Sequence, residues 1–142
     1  MRFMVLVHAD RDTEAGVMPT EQLLAEMGRY NEELVKAGVM QAGEGLHPTS
    51  KGARVRFAGK DRQVKKGPFP LADRPIAGFW LWQCASLQDA IDWAKRCPMQ
   101  EGAELEIRQI FEAEDFGAEF TPELREQEER LRKQVEAQQK KG

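Results

Sequence analysis

The sequence predicts an α+β fold, a sheet with helices packed on one side, and three observations predict it. Short apolar runs of period two are interleaved with two amphipathic stretches of helical period. The strand runs are rich in β-branched and aromatic residues, whereas each helical stretch follows a hydroxyl residue suited to capping it. The 142 residues, 41% hydrophobic and 32% charged, suffice for one core and leave little room for a second.

The first strand is read as Phe3 to Val7, ending where His8-Ala9-Asp10-Arg11-Asp12 turns polar. A loop with Gly16 and Pro19 follows, and Thr20 then offers a side-chain oxygen to the free N–H groups of a helix starting at Glu21. In that helix Leu23, Met27, Tyr30, Leu34 and Ala37 recur at steps of four and three, one continuous apolar stripe, and Gly38 ends it. Val39 to Ala42 reads as a short second strand. It runs into Gly43-Glu44-Gly45-Leu46-His47-Pro48, where two glycines around an acid suggest close backbone approach and a candidate site wall.

Ala53 to Phe57 alternates with period two, Ala58-Gly59-Lys60-Asp61 turns, and Arg62 to Lys65 returns, a polar β-hairpin with one wet face. Lys66 to Pro75 carries Pro68, Pro70 and Pro75, which lack the N–H a central strand needs, so this stretch is expected as an ordered loop. Ile76 to Trp82 is the most apolar strand. Ser86 caps a helix from Leu87 to Arg96, with Asp89 placed to close a capping box and Pro98 to stop it. Glu104 to Ile110 alternates as a last, half-buried strand.

The order β-α-β, hairpin, β-α-β matches a ferredoxin-like sandwich enlarged by a β-hairpin. Two helices cover one face of such a sheet. Yet Phe3, Val5 and Val7 oppose Met4 and Leu6 on the first strand, and Phe79 and Leu81 oppose Trp80 and Trp82 on the most apolar one. Leaving a large apolar side chain in water forfeits about 1.5–3 kcal/mol. The expected cover is a second copy, a homodimer with its two sheets face to face, a dimeric α/β barrel.

From Phe116 the composition shifts, so residues 1–115 are expected as the α+β domain and 116–142 as a charged, helical C-terminal extension. Thr121 caps and Pro122 suits the first helical position; Leu124, Leu131 and Val135 are the only sizeable apolar side chains from Glu123 to Lys140. Two readings stay open for it: a solvated tail, or an arm laid over a partner subunit.

With 21 basic against 24 acidic residues and a net charge of -3, nucleic acid is excluded as the main partner. No run approaches eighteen apolar residues, so no membrane span is expected, and the opening residues are too short and too soon charged for a secretory signal. Cys84 and Cys97 cannot form a disulfide framework and suit a reducing, cytoplasmic setting. No P-loop, dinucleotide or nucleophile motif occurs, and no cofactor is expected.

Only two histidines are available for proton chemistry near neutral pH. His8, at the end of the first strand on the side of Met4 and Leu6, is paired in this reading with Glu44, which would orient the imidazole or act as base. Trp80, Trp82, Asp10 and Phe69 are the candidate lining of a ligand pocket. His47, before Pro48 in a loop, is read as exposed, and His8, Asp10, Glu44 and His47 lack the spacing of a metal site.

The opening Met1-Arg2-Phe3-Met4-Val5-Leu6-Val7, Val35-Lys36-Ala37-Gly38-Val39, Gly43-Glu44-Gly45-Leu46, Gly67-Pro68-Phe69, Gly78-Phe79-Trp80, and Ala90-Ile91-Asp92-Trp93-Ala94 with Cys97-Pro98 form a set. Through it the chain, from about Met1 to Ile110, resembles the YCII-related family, nearest the branch named for its Asp-Gly-Pro-Phe motif. The resemblance implies a dimeric α+β barrel. It implies little about activity: most members have none assigned, some relatives are read as enzymes using a His and Asp pair, and some of this branch are associated with transcription regulation by alternative sigma factors. The chain departs twice from the pattern. Glu26 and Val35 stand where that His and Asp would be, and the motif's Asp is Lys66, followed by Leu71-Ala72-Asp73-Arg74 in place of the usual acid-and-lysine stretch.

The expectation is therefore a small cytoplasmic dimer that binds a small, partly apolar molecule between sheet and loops, with isomerase-, lyase- or dehalogenation-type proton chemistry by analogy. The alternative is a non-catalytic interaction or sensing module linked to transcription regulation through the charged helix.

Overall fold

In the computed structural model, β1 (Arg2–His8) leads through a one-turn helix, α1 (Arg11–Glu14), to the long helix α2 (Glu21–Lys36) and then to β2 (Met40–Gly45). A hairpin of β3 (Ala53–Ala58) and β4 (Asp61–Lys66) comes next, followed by β5 (Ile76–Gln83), α3 (Leu87–Lys95), β6 (Leu105–Gln109) and α4 (Pro122–Lys141). Residues 1–141 are described, and they form two compact units that divide after Ile110.

The first unit is a ferredoxin-like α+β sandwich. Four strands pair antiparallel in the order β2-β5-β1-β6, and β3 and β4 form a separate two-stranded sheet. Placing the most apolar strands, β1 and β5, at the centre lets both of their edges find partners. Register sets Phe3 opposite Trp82 and Val5 opposite Trp80, all buried on the face that carries the helices. Tyr30 and Leu34 of α2 and Ala90 of α3 close the same core, with Val39 and Cys84 at its margin. The Tyr30 hydroxyl donates to the Trp93 carbonyl at 2.6 Å, which joins the two helices through a satisfied polar contact.

The capping hydroxyls act as the sequence implies, whereas the return bond from the Asp89 side chain that would close a capping box does not form among the described residues. Thr20 Oγ1 accepts from the Leu23 N–H and Ser86 Oγ from the Asp89 N–H, and Gly38, at φ +72°, turns the chain out of α2. Three further local features differ from the expectation. The chain after β1 is not all loop, because Asp10 and Thr13 cap each other reciprocally and wind α1. Gly43, Glu44 and Gly45 belong to β2 rather than to a loop, opposite Trp80, Phe79 and Gly78. The hairpin is exposed on both faces, with Val55, Phe57 and Val64 each more than half exposed, so its wet side is not confined to one.

The face of the four-stranded sheet away from the helices carries a half-buried apolar patch. Met4 and Leu6 of β1 lie there beside Leu81 and Phe79 of β5, each of them partly buried. A single cross-sheet row runs from Glu44 through Phe79 and Leu6 to Glu106.

In the second unit Phe111, Phe116 and Phe120 stack in series, with ring centroids 5.2 and 5.3 Å apart. Arg125 donates to the carbonyls of Ala113 and Phe120, and Thr121 Oγ1 accepts from the Leu124 N–H at the start of α4. Leu124, Leu131 and Val135 are about half exposed along the helix, at 45–50%.

Candidate functional site

His8 ends β1, and the ladder slips by one residue between Val7 and His8. Its backbone N–H donates to the Glu104 carbonyl, and Ala9 N–H to that of Pro75. These bonds fix the imidazole on the sheet face away from the helices. There its Nε2 lies 2.9 Å from Glu106 Oε1 and 3.9 Å from Glu104 Oε1. The His8 side chain is 12% exposed and that of Glu106 38%, so the ring is the inner and the carboxylate the outer member of the pair. Nδ1 is buried without a partner among the described residues.

The His8 hydrogen bond is the main cause that holds the Glu106 carboxyl below its ordinary range, with Arg108, 3.4 Å away, adding to it. Glu106 is thus ionised across the neutral range.

A cleft of about 400 Å³ opens beside the pair, lined by His8, Asp10, Leu71, Arg74 and Glu104 together with the turn from Gln100 to Ala103. Arg74 adopts a left-handed backbone conformation at φ +54° and its guanidinium pairs with Glu104. The cleft thus offers an imidazole, the three carboxylates of Asp10, Glu101 and Glu104, and a guanidinium beside the apolar Leu71.

The structure does not bring His8 and Glu44 together. Glu44 and Glu106 stand at opposite ends of the row across the sheet, with Phe79 and Leu6 between them. At a strand spacing of about 4.8 Å, two strands of separation are beyond hydrogen-bond reach. Asp10 lines the cleft beside His8, although its carboxylate also accepts from the Thr13 N–H at the cap of α1.

Trp80 and Trp82 point to the helix side, away from His8. Trp82 is fully buried core, and Trp80 borders a separate cavity under α2. Phe69 is buried in the proline loop, beneath the Arg54 guanidinium at 3.8 Å, with its N–H donating to Thr49 Oγ1. Thr49 in turn is held by Glu14, and Arg54 by Asp73, so the Gly67-Pro68-Phe69 motif, with its cis Gly67–Pro68 bond, is a loop anchor. His47 lines none of these cavities. Among the described residues no three His, Cys, Asp or Glu converge as metal ligands would.

Sequence reasoning missed Glu106, Glu104 and Arg74. The signal for Glu106 was present: Leu105 and Ile107 alternate with Glu106 and Arg108, and the ferredoxin-like order sets the last strand beside the first.

A protein of Rhizobium meliloti (strain 1021), itself described as uncharacterized, is 31% identical over 75 residues, a stretch that covers 53% of this chain and 60% of that protein. The family model for the YCII-related domain matches residues 1–114, which takes in the whole sheet, both packed helices and every residue of the cleft. By that match, the chain belongs to the YCII-related family.

Proposed function

We propose that the protein binds a small, partly apolar molecule in the cleft at the end of β1 and moves a proton to or from it through the His8 and Glu106 pair. The observation that carries the reading is the 2.9 Å contact between Nε2 and Oε1, with the imidazole sheltered behind an outward carboxylate. Nε2–H donates to the ionised Glu106 carboxylate; that carboxylate takes the proton from the ligand's carbon, whose electron pair moves onto the adjacent carbonyl oxygen, while Nε2–H keeps the carboxyl in place. Arg74 and Asp10 orient the polar end of the ligand, and Leu71 meets its apolar part. The reaction class that fits is proton abstraction next to a carbonyl, as in isomerases and lyases.

A second copy of the chain, laid on Met4, Leu6, Phe79 and Leu81, would dry the face on which Glu106 lies and strengthen every charge interaction there. The apolar patch of that face supports this reading.

The test is deuterium exchange from D2O into small ketones, aldehydes and lactones, followed by NMR. The native chain should exchange at least one of them, and His8→Gln or Glu106→Gln should each slow that exchange by roughly 10²–10⁴-fold. No exchange in any compound, or undiminished exchange in either variant, would sink the proposal.

A second reading, a non-catalytic interaction module, is favoured by α4. Leu124, Leu131 and Val135 fall within one narrow stripe and are about half exposed. If that stripe binds a partner, Leu131→Asp abolishes the complex and leaves deuterium exchange intact.

A further inference from the structure

On the helix side, three positions that would normally send side chains toward α2 are glycines. Gly43 is opposite Trp80 and Gly45 opposite Gly78, so Gly43, Gly45 and Gly78 share one patch of sheet. A Cβ at Gly43 would come within 2.8 Å of the Trp80 ring, and one at Gly78 within 2.9 Å of the Glu44 carbonyl, whereas at Gly45 it would meet nothing within 4 Å. Gly43 and Gly78 thus let Trp80 and the β2 backbone close in, whereas Gly45 opens onto a cavity of about 400 Å³ between this glycine patch and α2. Met27, Met40 and Met99 wall it with Trp80, and no basic side chain lines it.

Two polar residues lie on its lining: Glu44, whose register partner Phe79 places its side chain on the other sheet face, and Asn31 on α2. Asn31 Oδ1 accepts from the Trp80 indole N–H at 3.0 Å, which fixes the amide so that its own N–H2 is the free end. Among the described residues that group has no hydrogen-bond partner. A cavity walled by thioethers and one indole face, with a single oriented donor, selects for a flat apolar body and one acceptor. The absence of a cation selects against an anion.

We propose that this cavity is a second ligand site, distinct from the His8 cleft, for a small neutral molecule with a planar apolar body and one hydrogen-bond acceptor. The body lies against Trp80 among the three methionines and the acceptor meets the Asn31 amide. The site needs neither His8 nor Glu106, so it stands or falls separately from the proton-transfer reading.

Acetophenone, a planar ring with one carbonyl, is a suitable probe, and ethylbenzene is its counterpart without the acceptor. With the full chain labelled at methionine methyls and tryptophan indoles, titration with acetophenone should shift the NMR signals of Met27, Met40, Met99 and Trp80 saturably. Asn31→Leu should weaken acetophenone by about fivefold, the worth of one hydrogen bond, while ethylbenzene binding holds or improves. Gly45→Leu should remove binding of both by filling the space. Shifts that do not saturate, or that fall on Met1, Met4 or Met18 instead, overturn the proposal. So does unchanged affinity in Gly45→Leu. Should that variant fail to fold, the methyl pattern of the native chain decides alone.

Discussion

At the scale of single residues, the contacts of Glu106 and the burial of Cys97 set measurable pH dependences. The Glu106 carboxyl is held below its ordinary range by His8 and then Arg108, so the folded state binds its proton less readily than the unfolded one. Its contribution to stability is present above the unfolded value of about 4.3 and is lost as pH falls through the lower folded value. Urea midpoints between pH 3 and 7 should therefore fall more steeply in acid for the native chain than for Glu106→Gln. Cys97 behaves in the opposite sense. Burial pushes its thiol up to about 11, so above the ordinary value of 9.0 the unfolded chain ionises first and stability declines with rising pH. In the native state at pH 8, Cys97 should react with Ellman's reagent roughly a hundredfold more slowly than an open thiol, and at the open rate in denaturant. Among core residues, Leu34→Ala should cost about 2–5 kcal/mol by chemical denaturation, because Leu34 is fully buried between helix and sheet.

At the scale of elements, legibility in the sequence followed the strength of the local signal. The stripe from Leu23 to Leu34 and the run from Ile76 to Trp82 announced α2 and β5 because period and burial agree there. The end of β2 was hidden, since Gly43 and Gly45 carry no strand preference and are held by pairing with β5 alone. The single turn of α1 was hidden as well: its four residues, Arg-Asp-Thr-Glu, have no apolar stripe, and only the Asp10 and Thr13 cap marks it. Caps carry a testable weight of their own. Ser86→Ala and Thr20→Ala each leave an N–H at the helix start without its acceptor, and each should lower stability by about 1 kcal/mol, read as a shift in the urea midpoint with an unchanged slope.

At the scale of the whole molecule, topology decides which residues can meet. His8 and Glu106 are 98 positions apart, and only the strand order β2-β5-β1-β6 makes them neighbours, whereas Glu44, read as the partner of His8, is carried to the far edge by the same order. Element types were thus readable one by one, while the site depended on the arrangement of strands. The apolar row on the sheet face away from the helices leads to a prediction at this scale. If two copies meet there, Leu6→Asp should convert a dimer to a monomer in light scattering at micromolar concentration, while Leu131→Asp on α4 should leave the mass unchanged. A native chain that already scatters as a monomer would refute the pairing. The same strand order has a consequence at the rim. Its outer strands are β2 and β6, and the β2 rim is broken where the register slips between Met40 and Ala42. A stray extended peptide would find hydrogen-bonding groups out of step along that border, and β6 offers only five residues ending in Arg108 and Gln109. Growth of ribbons by strand addition is thereby discouraged at both borders.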